Sequence, residues 1–345
     1  MVNYFIDHNE AVDWAVKLFV ARGLELNDAQ TLATSLTTTS LWGTDSHGIA
    51  RITHYLSRFS TGSIKVKPQI TFNKTAVATG IVDGDDGHGI IILHEAAKQA
   101  IALAKEAGAG VVGVKNSSHC GAIGLYTRQI AAAGMVGIAF THSDSFVVPH
   151  GGKKPFFGTN PISIAFPVTD AEKPICLDMA TSIIPWNYIM NAKRENGIVP
   201  KGYGVDNEGN DCVTANDIIA VKPTALHKGY AMAFLIDMLC GPLNGMGFGP
   251  ELTPMYDDLD KARKLGSLVI AIDPEKFGGL EYVKAVGTRA IETVKQYGDN
   301  ILFPGEPEYL SKANRLANGI PVTEALAAEF AKWSKNLSVV PPTYK

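Results

Sequence analysis

Residues 84–89 read Gly84-Asp85-Asp86-Gly87-His88-Gly89, a glycine cluster between a strand pattern and a helix pattern. A doubly wound dinucleotide fold would carry G-x-G-x-x-G at such a point, with an acidic residue about twenty positions later, and here the glycines come in the wrong order. Gly152 to Gly158 also lacks the Lys-Ser/Thr ending of a phosphate loop. These departures argue against a Rossmann architecture and leave the cofactor open, although the surroundings still alternate. A strand is expected around Ala76 to Val82, a helix from Leu93 to Ala107 and a strand from Gly110 to Lys115, followed by a further helix and strand.

The rest of the chain frames that stretch. Residues 1–70 read as a helical region that packs with residues 256–345, where helices are expected over Leu280 to Tyr297 and Val322 to Trp333. Residues 71–119 form an α/β segment joined to it, and residues 120–255, rich in Gly/Pro loops, form the remaining domain. The opening MVNYFIDHNEAVDWAVKLFVARG reads as an amphipathic helix with acidic residues and not as a signal peptide. No apolar run approaches the roughly 18–20 residues of a spanning helix, so a cytoplasmic protein without membrane partners is expected. A net charge of −3 without a basic block argues against nucleic acid. Cys120, Cys176, Cys212 and Cys240 include no C-x-x-C pair and are expected to be free thiols. His47, His119 and Asp178 match no metal-ligand spacing, so no metal is expected.

Two histidines stand in similar polar settings, Ser46-His47-Gly48 and Ser118-His119-Cys120-Gly121. From Gly48 the chain reads as a helix on which His47, Arg51, Tyr55 and Arg58 share one sector, and Ile49, Ile52, Leu56 and Phe59 another. Asp45 or Ser46 would cap it, and the polar sector would face a ligand or water. A guanidinium one turn from an imidazole can grip a carboxylate through two parallel hydrogen bonds, which suits a 2-hydroxy or 2-oxo acid; an ordinary amphipathic surface helix reads equally well. His119 precedes a helix expected over Gly121 to Ala133, whose dipole would keep the ring neutral. Ser143-Asp144, His150-Gly151-Gly152 and Gly158-Thr159-Asn160-Pro161 form a small-residue loop before a strand. A strand ends at Asp178-Met179-Ala180, and Lys228 opens an apolar helix against its dipole, a place for an anion or for a side chain that simply reaches solvent.

The segments GTDSHGIARITHYLSRF, NSSHCGAIGLYTRQIAAAGMVGIAFTHSD, VVPHGGKKPFFGTNPISIAFP, LDMAT, LHKGYAMAFLIDML and FPGEP, in that order, resemble the malate/L-lactate dehydrogenase family of NAD(P)-dependent oxidoreductases. Within it, SDSFVVPHGG and FGPELTPMYDDLDKARKLGSLVIAIDP most resemble the ureidoglycolate dehydrogenases. The resemblance implies a mixed α/β, α+β-like fold with a largely antiparallel sheet, helical N- and C-terminal regions and a non-Rossmann dinucleotide site. It implies that His119 and His47 flank the reacting carbon, that Ser46 orients His47, and that Arg51, with Tyr55 and His142, meets the substrate. Ser143, Thr159, Asn160, Asp178, Met179, Ala180, Lys228, Gly305, Glu306 and Pro307 would contact NAD, with NADP left open and Glu306 placed to accept a ribose hydroxyl. His119 is assigned the hydroxyl proton and His47 the donor role, an assignment that could be reversed. The implied reaction is ureidoglycolate to oxalurate in a homodimer whose subunits complete each other's sites. The alternatives are a malate, lactate or other 2-oxo-acid reductase, a cyclic imine reductase or, from another class, a catalytically silent metabolite-binding protein.

Overall fold

The computed structural model describes residues 2–345. In chain order the elements are β1 (Val2–Ile6), α1 (His8–Ala21), α2 (Leu26–Leu41), α3 (Ile52–Thr61), β2 (Thr71–Lys74), β3 (Thr79–Asp83), α4 (Gly89–Ala107) and β4 (Ala109–Ser117). There follow α5 (Gly124–Ala132), β5 (Val136–Thr141), β6 (Ile162–Phe166), β7 (Ile175–Met179), α6 (Trp186–Arg194) and the short strands β8 (Gly204–Val205), β9 (Asp211–Cys212) and β10 (Ala220–Val221). The chain ends with α7 (His227–Cys240), β11 (Leu265–Ile272), α8 (Leu280–Lys295), α9 (Glu306–Asn318), β12 (Ile320–Thr323) and α10 (Glu324–Asn336).

A seven-stranded sheet in the order β2-β3-β4-β11-β5-β6-β7 organises the molecule. Only β3 and β4 run parallel, joined through α4, and every other pair in this sheet is antiparallel. The largely antiparallel, non-Rossmann sheet expected from the sequence is what the chain builds. β11 lies between β4 and β5, pairing Leu268 with Gly113 on one side and Phe140 on the other, so the sheet crosses the boundaries at residues 119 and 255. Leu93, Ala96 and Ala100 of α4 and Ile130 of α5 pack on Val112, Val114 and Val269, where alanines let the helix lie close to the strands.

A second core joins the two ends of the chain. Trp14 and Phe19 of α1, Leu32 and Leu36 of α2 and Tyr55 of α3 close on Ile320, Val322 and Phe330, and Trp14 donates to Ser334 Oγ at 2.9 Å. Each large side chain buried there contributes about 1.5–3 kcal/mol as an upper bound. Two expectations are corrected in this layer. Residues Val2–Ile6 are a strand instead of the start of a helix, and helix α10 begins at Glu324, because Ile320–Thr323 pairs with β1 and Thr323 then caps α10. Strand β3 also starts later than Ala76, since residues 75–79 make the tight turn from β2. Among the described residues no helix is long and apolar enough to cross a membrane.

Candidate active site

His47 and Arg51 stand on two short 3-10 turns, Asp45–His47 and Ile49–Arg51, and not on one continuous helix. The break lies at Gly48, where a Cβ would meet Ser40 Oγ at 2.0 Å, and the Ile49 N–H donates to that same oxygen at 2.9 Å. The segment is thereby pressed onto α2, and no side chain caps it, contrary to the capping role expected of Asp45 or Ser46. Asp45 instead pairs with Arg315 of α9, which also donates to Ser40 O at 2.6 Å.

The polar sector divides. His47 and Arg51 line a cleft, but Tyr55 and Arg58 turn inward, Tyr55 fully buried and Arg58 donating to Met255 O at 2.7 Å and to Lys261 O at 3.2 Å. A second arm brings His119 from the end of β4. Helix α5 begins only at Gly124, so His119 sits ahead of the helix and the dipole expected to hold it neutral is not beside it. Burial does that work. It holds His119 well below the ordinary histidine range, helped by His47 and Arg51, and it takes His47 to about 3, with Arg51 adding to the effect. The two rings stack, centroids 5.3 Å apart and planes 22° from parallel. Ser46 Oγ lies 2.8 Å from His47 Nδ1, and Tyr55 Oη 2.6 Å from His119 Nδ1. Arg51 Nε donates to Ser46 O at 2.6 Å and Nη1 to Tyr256 Oη at 3.1 Å, which aims the guanidinium at the space beside the imidazoles.

Ser143, Thr159, Asp178, Met179 and Ala180 line the same cleft, which with its mouth encloses about 1070 Å³. Asp178 accepts the Gly124 N–H at 2.8 Å, and burial raises its carboxyl to about 6. The remaining expected positions do not reach it. His142 is fully enclosed, its Nε2 accepting the Gly266 N–H at 2.9 Å and its Nδ1 facing Asp237 Oδ1 at 3.2 Å, so it is part of the frame and not a substrate contact. Asn160 is buried beneath the wall, bonded to Ser143 N and Ala233 O. Lys228 is exposed on α7. Gly305, Glu306 and Pro307 start α9, and Glu306 is engaged by Lys295 and by Phe303 N–H at 3.0 Å, so the acceptor role expected of it is already filled.

Asn187, Trp186, Arg128 and Glu308 of the cleft were not singled out from the sequence. Tyr256 and Asn187 add polar groups, and Phe146 stacks on Trp186 at 4.9 Å to make an apolar wall. Arg128 lies 4.2 Å from the Trp42 ring, with its Nη2 4.0 Å from Glu308 Oε1; neither that Nη2 nor Glu308 Oε2 has a hydrogen-bond partner, which leaves a donor and an acceptor of the kind an amide pairs with. Asp144 forms a buried ion pair with Arg263 and accepts the Met255 N–H at 2.9 Å. Cys120 is a buried thiol pushed up to about 12, a packing group and not a nucleophile.

The fold is shared with malate dehydrogenase from Pyrococcus horikoshii OT3, at a TM-score of 0.90 and 28% identity, covering 99% of this chain and 98% of that one. On that scaffold the cleft holds two stacked imidazoles beside a buried guanidinium, and the relatives of the chain are oxidoreductases of the dehydrogenase class. The chain belongs to the malate/L-lactate dehydrogenase family, whose sequence description matches residues 6–331. Among its relatives are malate/(S)-sulfolactate dehydrogenase from Methanothermus fervidus, 32% identical over 326 residues with 94% of this chain and 95% of that protein covered. Ureidoglycolate dehydrogenase (NAD(+)) from Escherichia coli K12 is 30% identical over 307 residues, with 88% of each covered.

Proposed function

We propose that this enzyme moves hydride between a nicotinamide cofactor and C2 of a 2-hydroxy or 2-oxo acid, with ureidoglycolate as its substrate. The observation that carries the reading is the His47–His119 stack next to Arg51. Arg51 grips the carboxylate through its planar fork, and this sets C2 and its oxygen against the imidazoles. Both rings are neutral at pH 7, so one can accept the hydroxyl proton while the other donates to the oxygen. Ser143, Thr159 and Asp178-Met179-Ala180 are the residues that would hold the nicotinamide, and the unmatched Arg128 and Glu308 atoms suit its carboxamide. When bound, it supplies the hydride acceptor in one direction and the donor in the other. Glu306, already engaged by Lys295, gives no ground for preferring NAD over NADP; the NAD(+) in the relative's name supports NAD.

Support for ureidoglycolate comes from the two segments that carry that resemblance. They meet at the cleft, where Asp144 of one accepts the Met255 N–H of the other and pairs with its Arg263. His142, Asp144 and Asn116 are engaged within the protein and are not free to meet a ureido group. We assign that group to Asn187 and Tyr256, which line the cleft and share a 3.4 Å hydrogen bond from Tyr256 Oη to Asn187 Oδ1. A site that pairs with ureido N–H and C=O leaves those partners unmatched with malate or lactate, which costs roughly 1–3 kcal/mol per lost bond. With NAD at one pH, kcat/KM for ureidoglycolate is expected to exceed that for malate and for lactate by about tenfold or more. Equal or better use of malate or lactate would leave only the 2-hydroxy-acid reading, and no turnover of any such acid would favour a silent metabolite binder.

A second copy of the chain is proposed on α7. That helix shows Met232, Phe234 and Leu235 to solvent at 38%, 39% and 62% exposure, with Leu226 and Leu243 at its ends at 60% each. An apolar stripe of this kind is normally covered. Light scattering should give twice the 36.9 kDa chain mass, and a fully active monomer would refute the pairing.

A further inference from the structure

We propose that Tyr55 is a positioning residue which, together with the Gly121 N–H, fixes neutral His119 as its Nε2–H tautomer. His119 then holds the substrate oxygen as a hydrogen-bond donor, and His47 is the imidazole that takes the hydroxyl proton. This deepens the hydride-transfer reading and reverses the roles first assigned to the two histidines.

The argument begins at Gly121. Its φ of +68° turns its N–H back onto His119 Nδ1 at 3.3 Å. A backbone N–H can only donate, so Nδ1 carries a lone pair and no proton. Tyr55 Oη, 2.6 Å from the same nitrogen, must therefore donate as well. The single ring proton is left on Nε2, and among the described residues no protein group bonds that atom while the ring lines the cleft. An Nε2–H facing the substrate is a donor and has no lone pair with which to take a proton.

Tyr55 is held to this task by what lies behind it. It is fully buried, and the His88 ring meets it edge-on at 4.2 Å and 87°. His88 is itself locked, its Nδ1 accepting the Ile90 N–H at 3.1 Å at the start of α4. Burial pushes the Tyr55 phenol far above its usual value, so it stays protonated and does not pass a proton through His119. His47 differs. Its Nδ1 faces a serine hydroxyl at 2.8 Å, which can accept as readily as donate, so the ring is free to keep its lone pair on Nε2. A carboxylate arriving on Arg51 offsets the guanidinium's push on His47 and raises its basicity when substrate is present.

In the oxidation, the hydroxyl proton goes to His47 Nε2. The C2–H bond breaks with its electron pair leaving as hydride to the oxidised nicotinamide, and the C2–O bond becomes a carbonyl whose oxygen keeps its bond from His119 Nε2–H.

Long-range ¹H–¹⁵N spectra of the full chain labelled in histidine read the tautomer directly, with the His119 signals identified by their loss in His119→Gln. The wild type at pH 7 is expected to show neutral Nε2–H at His119, and Tyr55→Phe a mixture of tautomers. Nδ1–H in the wild type overturns the proposal, as does an unmixed tautomer in Tyr55→Phe; should that variant not fold, the wild-type spectrum decides. In turnover, His119→Gln, whose amide N–H replaces Nε2–H, should stay within about tenfold of wild type, whereas His47→Gln should lose about 10²-fold or more. Equal losses overturn the division of roles. The expected spectrum without turnover of any 2-hydroxy acid would refute the hydride reading alone.

Discussion

Arg51→Lys should lower kcat/KM for the 2-hydroxy acid by about 10²- to 10³-fold, the scale of losing a buried, hydrogen-bonded charge contact. Lysine keeps the positive charge, so a simple electrostatic role would survive the change. What it cannot keep is the plane. In the structure Nε is anchored on Ser46 O and Nη1 on Tyr256 Oη, so the guanidinium has its orientation before any ligand arrives. An ammonium has no fixed fork, and the substrate carboxylate would be free to swivel, moving C2 away from the imidazoles. The measurement is steady-state kinetics with direct titration of the acid. A variant that binds and turns over like the wild type would show that Arg51 does not contact the carboxylate.

Asp144→Ala should destabilise the protein by about 3–5 kcal/mol, because it leaves a buried guanidinium without its counter-charge. Arg263 is 1% exposed and Asp144 5%. Arg263 Nε and Nη1 already lack partners, so nothing nearby compensates when the carboxylate is removed, and the Met255 N–H loses its acceptor in the same step. Replacing both members by apolar residues, Asp144→Leu with Arg263→Met, should return most of the loss, since two desolvated charges then disappear together. Urea unfolding of the three variants separates these cases. If Asp144→Ala costs less than about 1 kcal/mol, the pair is hydrated and does not tie the cleft walls together.

Much of the sheet and the heart of the cleft could be read from the chain because each depends on local pattern. Val136–Thr141 and Ile162–Phe166 alternate buried and half-buried residues, the signature of strands with one dry face. His47, His119 and Asp178 announce themselves by residue type next to turns. What escaped depends on partners distant in sequence. A polar helical stripe looks the same whether it meets a ligand, water or a loop two hundred residues later, so the inward turn of Arg58 shows only once Pro254 to Lys261 closes over it, and that of Tyr55 only once the core and His88 pack against it. Strands β1 and β12 are too short to show a period, and each looks like the end of its neighbouring helix. Glu306 reads as a free acceptor because Lys295, eleven positions back, lies on a different helix. Arg128 and Asp144 are ordinary charges by composition, and only burial gives them weight.

The place of β11 bears on how the molecule is made. It is the central strand between β4 and β5, yet it comes from residues 265–272, after the rest of its sheet has left the ribosome. Until then β4 and β5 cannot pair with each other in the native order, and both offer open backbone edges in the middle of an apolar layer. Sheet closure and cleft assembly therefore wait for residues 265–272 to emerge, which leaves a window in which nascent molecules can pair edge to edge. A polypeptide cut short before Leu265 carries both histidines and no means of bringing them to rest on a finished sheet.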